Sequence, residues 1–148
     1  MNIITKDTLL SMSEDDYMND AQLAYFKNLL EEQKNNILVS ISDSKGSLLV
    51  TESNSDETDV ATKIELQQLE LKRMDRERKL LSKINKTITL INCGEYGYCE
   101  STGEPIGIQR LLARPTATLS VEAKERQEHR ERTSGLAKKY HNMDDDSE

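Results

Sequence analysis

A chain of 148 residues suffices for one modest domain, or for a small domain carrying an extended element. With 4% aromatic residues, no tryptophan and 32% charged residues, the composition excludes a large buried core and directs much of the length into an elongated, helix-rich element. A net charge of -7 disfavours broad binding of nucleic acid or anionic membranes through the overall field, which leaves such contacts to local basic patches.

Two cysteines, Cys93 and Cys99, are too few for the disulfide framework of a secreted mini-protein. The N-terminal residues do not combine a basic head with a signal-peptide apolar run, and no apolar stretch reaches transmembrane length. The expectation is a reduced, soluble, cytoplasmic protein.

Residues 1–16 are polar with scattered apolar side chains and predict a mobile arm or a short docking helix. From Tyr17 the pattern changes: Leu23, Phe26, Leu30, Ile37 and Ile41 recur at intervals near three, four and seven, the narrow seam of a helix packed on another helix. Asn19 and Asp20 stand before it as N-cap candidates. Residues 42–58 are small and polar with one glycine, and predict a connection. A second helix follows, with Ile64, Leu71, Met74, Leu81, Ile84, Ile88 and Ile91 on one side. Two such stripes, each too narrow to persist alone, predict an antiparallel helical hairpin.

NCGEYGYCESTGEPIG then ends the second helix and opens a compact, turn-rich module. Beyond Pro115, Thr118 is positioned to cap a last polar helix that Gly135 would terminate, and HNMDDDSE reads as a disordered acidic tail. Within this module Cys99, Thr102, Ser120 and Ala123 stand at the C-x2-C-x17-C-x2-C spacing of a structural zinc ribbon. Only the first is a cysteine, and one thiolate cannot make a tetrahedral site. Losing such a site forfeits about 10 to 16 kcal/mol in small fingers, whereas each fully buried Leu or Ile contributes about 1.5 to 3 kcal/mol. Packing of several among Ile106, Ile108, Leu111, Leu112, Leu119 and Val121 with Tyr96 and Tyr98 therefore predicts a module that folds without metal. Cys93 and Cys99 have neither metal-pair nor C-x-x-C redox spacing, and His129 and His141 are isolated.

Two charged groups invite a functional reading. Asp56 and Asp59 flank the start of the second helix, where capping and the macrodipole favour aspartate in any case. Arg76, Lys79 and Lys83, at i, i+3 and i+7, share one helical face; they suit phosphate groups, but equally form a solvated face paired with Asp75, Glu77 or acids of the first helix.

LELKRMDRERKLLSKINKTITLINCGEYGYCESTGEPIGIQRLLARPTATLSVEAKERQEHR resembles the DksA family of bacterial transcription factors, which bind RNA polymerase through its secondary channel. YMNDAQLAYFKNLLEEQ is similar to that family's first coiled-coil helix and DETDVA to its coiled-coil tip. The resemblance implies a mainly α fold in which a small globular module, made from the two chain ends and the region around Cys99, carries a long antiparallel coiled-coil hairpin. The expected organisation is an N-terminal arm (1–19) belonging to the module, a hairpin (20–92) with its tip near 50–60, a degenerate zinc-finger-like segment (93–118), a C-terminal helix (119–135) and the tail (136–148).

It further implies that Asp56, Asp59 and Ala61, a DxxDxA match, form a tip delivered towards the polymerase active centre. Lys83, with Leu80, Arg114 and Lys124, maps onto the family's guanosine tetraphosphate (ppGpp) pocket at the polymerase interface, with Arg76 and Lys79 on the same helical face as Lys83. Thr102, Ser120 and Ala123 place the chain in the cysteine-poor branch, for which zinc is not expected. The implied protein is a non-enzymatic monomer whose partners are bacterial RNA polymerase and ppGpp, which modulates promoter complexes including those at ribosomal RNA promoters, without sequence-specific DNA contacts or a membrane. The alternatives are a transcript-cleavage factor resembling the Gre proteins, and a coiled-coil adaptor unrelated to polymerase.

Overall fold

The structure, a computed structural model, describes residues 3–49 and 57–144, with side chains other than those of 49, 58 and 136–144. The chain divides into two compact units, Met1–Tyr96 and Gly97–Glu148. Five α-helices lie in the described residues: α1 (Lys6–Ser11), α2 (Asp20–Leu49), α3 (Glu57–Cys93), α4 (Ile108–Ala113) and α5 (Val121–Asp144). None is long and apolar enough to cross a membrane.

The first unit opens with α1, capped by the Thr5 hydroxyl, which accepts from the Thr8 N–H, and anchored by the buried Leu9. A short 3-10 turn, Glu14–Asp16, leads to Met18, whose left-handed φ of 56° reverses the chain. That conformation is held by a reciprocal cap at the start of α2. The Gln22 N–H donates to Asn19 Oδ1 at 2.9 Å, and Gln22 Oε1 accepts from the Met18 N–H at 2.8 Å. Gln22 is buried and also donates to the Met12 sulfur, so the N-terminal arm is tied to the hairpin and clusters with it.

Helices α2 and α3 pack antiparallel along a buried seam of Phe26, Leu30 and Ile41 with Met74, Ile84 and Ile91. At one end Tyr96 is buried, its ring centroid 5.5 Å from that of Phe26; Tyr25 meets Phe26 edge-on at the same separation. Burial pushes the Tyr96 phenol well above its usual pKa. Lys27 Nζ donates to Asn92 Oδ1 across the two helices at 3.1 Å.

The seam departs from the sequence reading in two places. Ile64 and Leu71 are exposed (48% and 54%). Four and seven residues upstream of the buried Met74 stand Glu70 and Gln67, both half-buried, so the face towards α2 turns polar there and the two apolar residues fall on its flank. The predicted connection at 42–58 is also shorter, because α2 continues through Gly46 to Leu49. Ser44 is buried, and its hydroxyl donates to the Ser40 carbonyl one turn back at 2.9 Å, which satisfies it within the helix. Residues 50–56 lie outside the described part.

The second unit is built on a tight turn. The Cys99 N–H donates to the Glu104 carbonyl, and the Gly103 N–H returns to the Cys99 carbonyl, both at 2.8 Å. Gly103 sits at φ 74°, where a side chain would be strained. Its buried residues include Cys99, Ile106, Leu111, Ala117, Ser120 and Ala123. Tyr98 and Val121, expected in this core, are exposed, and Tyr96 packs in the first unit instead. Helix α5 is capped by Ser120 rather than Thr118: the Ala123 N–H donates to Ser120 Oγ at 3.3 Å, while the Thr118 carbonyl accepts from the Glu100 N–H. Gly135 does not end α5, which runs on to Asp144 because a single glycine costs only about 1 kcal/mol within a helix.

Since Phe26 is fully buried between Tyr25 and Tyr96, Phe26→Ala should destabilise the first unit by about 3 to 5 kcal/mol. Urea denaturation followed by helical circular dichroism measures it.

Candidate functional site

Asp59 occupies the first turn of α3 and is exposed, and its side chain makes no hydrogen bond or ion pair among the described residues. Ala61 beside it is exposed as well, and Glu57 adds a second acid to the same turn. Asp56 lies outside the described residues. The carboxylate of Asp59 is therefore uncommitted, at the α3 terminus remote from the Phe26–Tyr96 cluster; with 37 residues at 1.5 Å per residue, the helix spans about 55 Å.

Arg76, Lys79, Leu80 and Lys83 are all exposed on α3; Leu80, one turn before the buried Ile84, borders the seam, and the three cations lie farther round the helix. Lys79 pairs with Asp75 at 2.9 Å, but both side chains are largely exposed and such pairs contribute little. Arg76 and Lys83 form no ion pair among the described residues. Arg114 and Lys124 belong to the second unit. Arg114 is exposed at the end of α4, and Lys124 stands 3.9 Å from Glu128 on α5.

The four positions of the zinc-ribbon outline have taken separate structural roles. Cys99 and Ala123 are buried, Ser120 caps α5, and the Thr102 hydroxyl accepts from the Glu104 N–H at 3.3 Å. The Thr102 hydroxyl and then the Ser120 backbone N–H hold the Cys99 thiol down at about 6, helped by the N–H groups of Thr102 and Ser101 and opposed by burial. A cradle of donors suited to a thiolate thus persists around the single cysteine.

One cluster on the hairpin carries no signal in the sequence reading. Arg73 Nη1 donates to Glu77 Oε1 at 2.7 Å and to Ser40 Oγ at 2.8 Å; Nη2 donates to Glu70 Oε1 at 2.6 Å and to Ser44 Oγ; Nε donates to Glu70 Oε2 at 3.1 Å. Ser40 Oγ in turn donates to Glu77 Oε1 at 3.0 Å. The Arg73 guanidinium first, and the Ser44 hydroxyl second, hold the Glu70 carboxyl down at about 2. A depressed carboxylate contributes stability above its ordinary value of 4.5, and that contribution is lost as pH falls from 4.5 towards 2. Ser40 and Ser44 read as weak helix formers, and their partner is 33 and 29 residues away.

Two family profiles match the chain: the DnaK suppressor protein DksA N-terminal domain over residues 22–91, and the prokaryotic dksA/traR C4-type zinc finger over residues 94–129. A four-cysteine zinc site does not fit the donors present, since the outline offers one thiol, two hydroxyls and a methyl, and no group of three or more metal-ligating side chains exists among the described residues. A strong chelator should leave the melting temperature of the purified protein unchanged, and metal analysis should find no stoichiometric zinc. Ser120→Ala, by contrast, should cost about 1 kcal/mol through loss of the α5 cap; thermal melting reads both.

The RNA polymerase-binding transcription factor DksA of Caulobacter vibrioides is 46% identical over 131 residues, covering 88% of this chain and 92% of that protein. Its namesake in Escherichia coli K12 is 42% identical over 119 residues, covering 80% and 79%. Among solved structures, transcription factor DksA2 from Pseudomonas aeruginosa superposes with a TM-score of 0.78 at 45% identity, covering 86% of this chain and 99% of that one. Two adjoining profiles, relatives matched over most of their length and a shared hairpin fold lead to one conclusion: the chain belongs to the DksA family.

Proposed function

We propose that this chain is a transcription factor that binds bacterial RNA polymerase, as its named relatives do, and performs no chemistry of its own. The hairpin enters the secondary channel with the start of α3 leading, and with ppGpp it modulates the lifetime of promoter complexes, including those at ribosomal RNA promoters. It works as a cytoplasmic monomer and reads no DNA sequence. The observation that carries this reading is Asp59, an exposed carboxylate at the end of a long helix with no partner among the described residues. A contact that shifts a promoter complex by about 1.4 kcal/mol changes its population ratio tenfold, so one carboxylate suffices.

Lys83, Arg76, Lys79 and Leu80 from α3, with Arg114 and Lys124 from the second unit, supply the protein's share of the ppGpp contacts. Arg76 and Lys83 are exposed and unpaired among the described residues, which supports this, because neither needs to leave such an ion pair to meet a pyrophosphate. Asp56 and Ala61 complete the tip with Asp59.

Asp59→Asn keeps the size and capping ability of the side chain and removes its charge. Fold and polymerase affinity, measured by competition binding, should persist while the effect on promoter-complex decay collapses; unchanged decay, or affinity falling in proportion to activity, would overturn the reading. In transcription from a ribosomal RNA promoter, Lys83→Ala or Arg114→Ala should weaken synergy with ppGpp more than polymerase binding. Equal synergy in wild type and both variants rejects the pocket.

A further inference from the structure

The buried seam of the hairpin stops well short of the tip. Towards the tip from Ser44 on α2 and Met74 on α3, none of the described side chains is buried, and Val60, Ile64, Leu66, Leu69 and Leu71 of α3 are all exposed. At that boundary a polar cluster joins the two helices through one guanidinium. Arg73 directs four of its contacts to two carboxylates and two serines, and the serines belong to the opposite helix.

Stability alone does not account for this arrangement. Glu77 Oε2 is buried with no hydrogen-bond partner among the described residues, a destabilising feature, and the ion pairs are part-exposed and contribute little of their own. What the cluster provides is directional. A planar fork meeting Ser40 and Ser44 on one side and Glu70 and Glu77 on the other accepts only one rotation and one axial offset of α3 on α2. From Arg73 to Asp59 the helix runs 14 residues, about 21 Å, so a tilt of ~15° at this point displaces the acid by about 5 Å.

Building on the tip reading above, we propose that Arg73 is a positioning residue: it clamps α3 to α2 where the apolar seam ends and thereby fixes where Asp59 is presented. Lysine at this position supplies one compact charge and cannot bridge four partners.

The test uses the full-length chain with Arg73→Met and Arg73→Lys, beside Asp59→Asn. Hydrogen exchange of Arg73→Met should quicken about tenfold in residues 42–48 and 59–72 while residues 22–37 and 78–91 keep their protection. Its half-saturating concentration for polymerase should stay within about twofold of wild type, while its effect on promoter-complex decay at saturation falls about fivefold. Arg73→Lys should recover less than half of that effect, which a role in bulk packing does not explain. Unchanged exchange near the tip, full recovery by lysine, or a wild-type effect of Arg73→Met at saturation while Asp59→Asn is inactive would each overturn the clamp alone. If both Arg73→Met and Asp59→Asn match wild type at saturation, the tip reading falls and the clamp falls with it.

Discussion

Helices α2 and α3 are each amphipathic along a stripe too narrow to hold them in water, so everything in the first unit depends on their burying that stripe against each other. Helices that lack tertiary contacts are marginal unless their sequences are strong helix formers, and α2 includes Asn35, Asn36, Ser40, Ser42, Ser44 and Gly46. The contact of Phe26, Leu30 and Ile41 with Met74, Ile84 and Ile91 supplies what local propensity does not. Placing the aromatic contact of Phe26 with Tyr96 at one end of this seam lets the other end taper, and the taper leaves Asp59 exposed on a long helical arm.

The second unit meets a different constraint. A segment whose relatives' profile is named for four cysteines must hold a similar turn with one. Several small contacts share that role. Gly103 and the Cys99–Glu104 backbone pair keep the turn, Ser120 caps the helix that follows, and Ala123 and Leu111 fill the interior. Each replacement is small compared with a metal site, but together they satisfy the backbone groups that the turn would otherwise leave unpaired. The donors around Cys99 keep their aim at sulfur, which lowers its pKa in the absence of any second thiol nearby.

The exposed charges follow from the same pattern of packing. With the seam occupying one narrow face of α3, side chains outside it are free of structural duty, and Arg76 and Lys83 are exposed there and unpaired among the described residues. Where the seam must end, Arg73 and its four partners replace apolar contact with directed hydrogen bonds. Apolar packing tolerates small slips, whereas a forked guanidinium does not.

By itself the sequence determined the hairpin, because apolar residues recurring near three, four and seven can be buried together only on helices, and it determined that no four-thiolate site exists, because Thr102, Ser120 and Ala123 cannot supply thiolates. DETDVA and the basic run on α3 likewise mark the candidate tip and the candidate basic residues at the level of sequence. Tertiary structure decided what local chemistry leaves degenerate. Serines at 40 and 44 are weak helix formers until a guanidinium about thirty residues away gives them partners, and α2 extends into the expected connection as far as Leu49. Ile64 and Leu71 fit the apolar period but face solvent, since burial depends on where α2 lies and not on the stripe alone. Thr118 and Ser120 are both acceptable caps in isolation; the pairing of the Thr118 carbonyl with the Glu100 N–H, a long-range bond, leaves Ser120 to start α5.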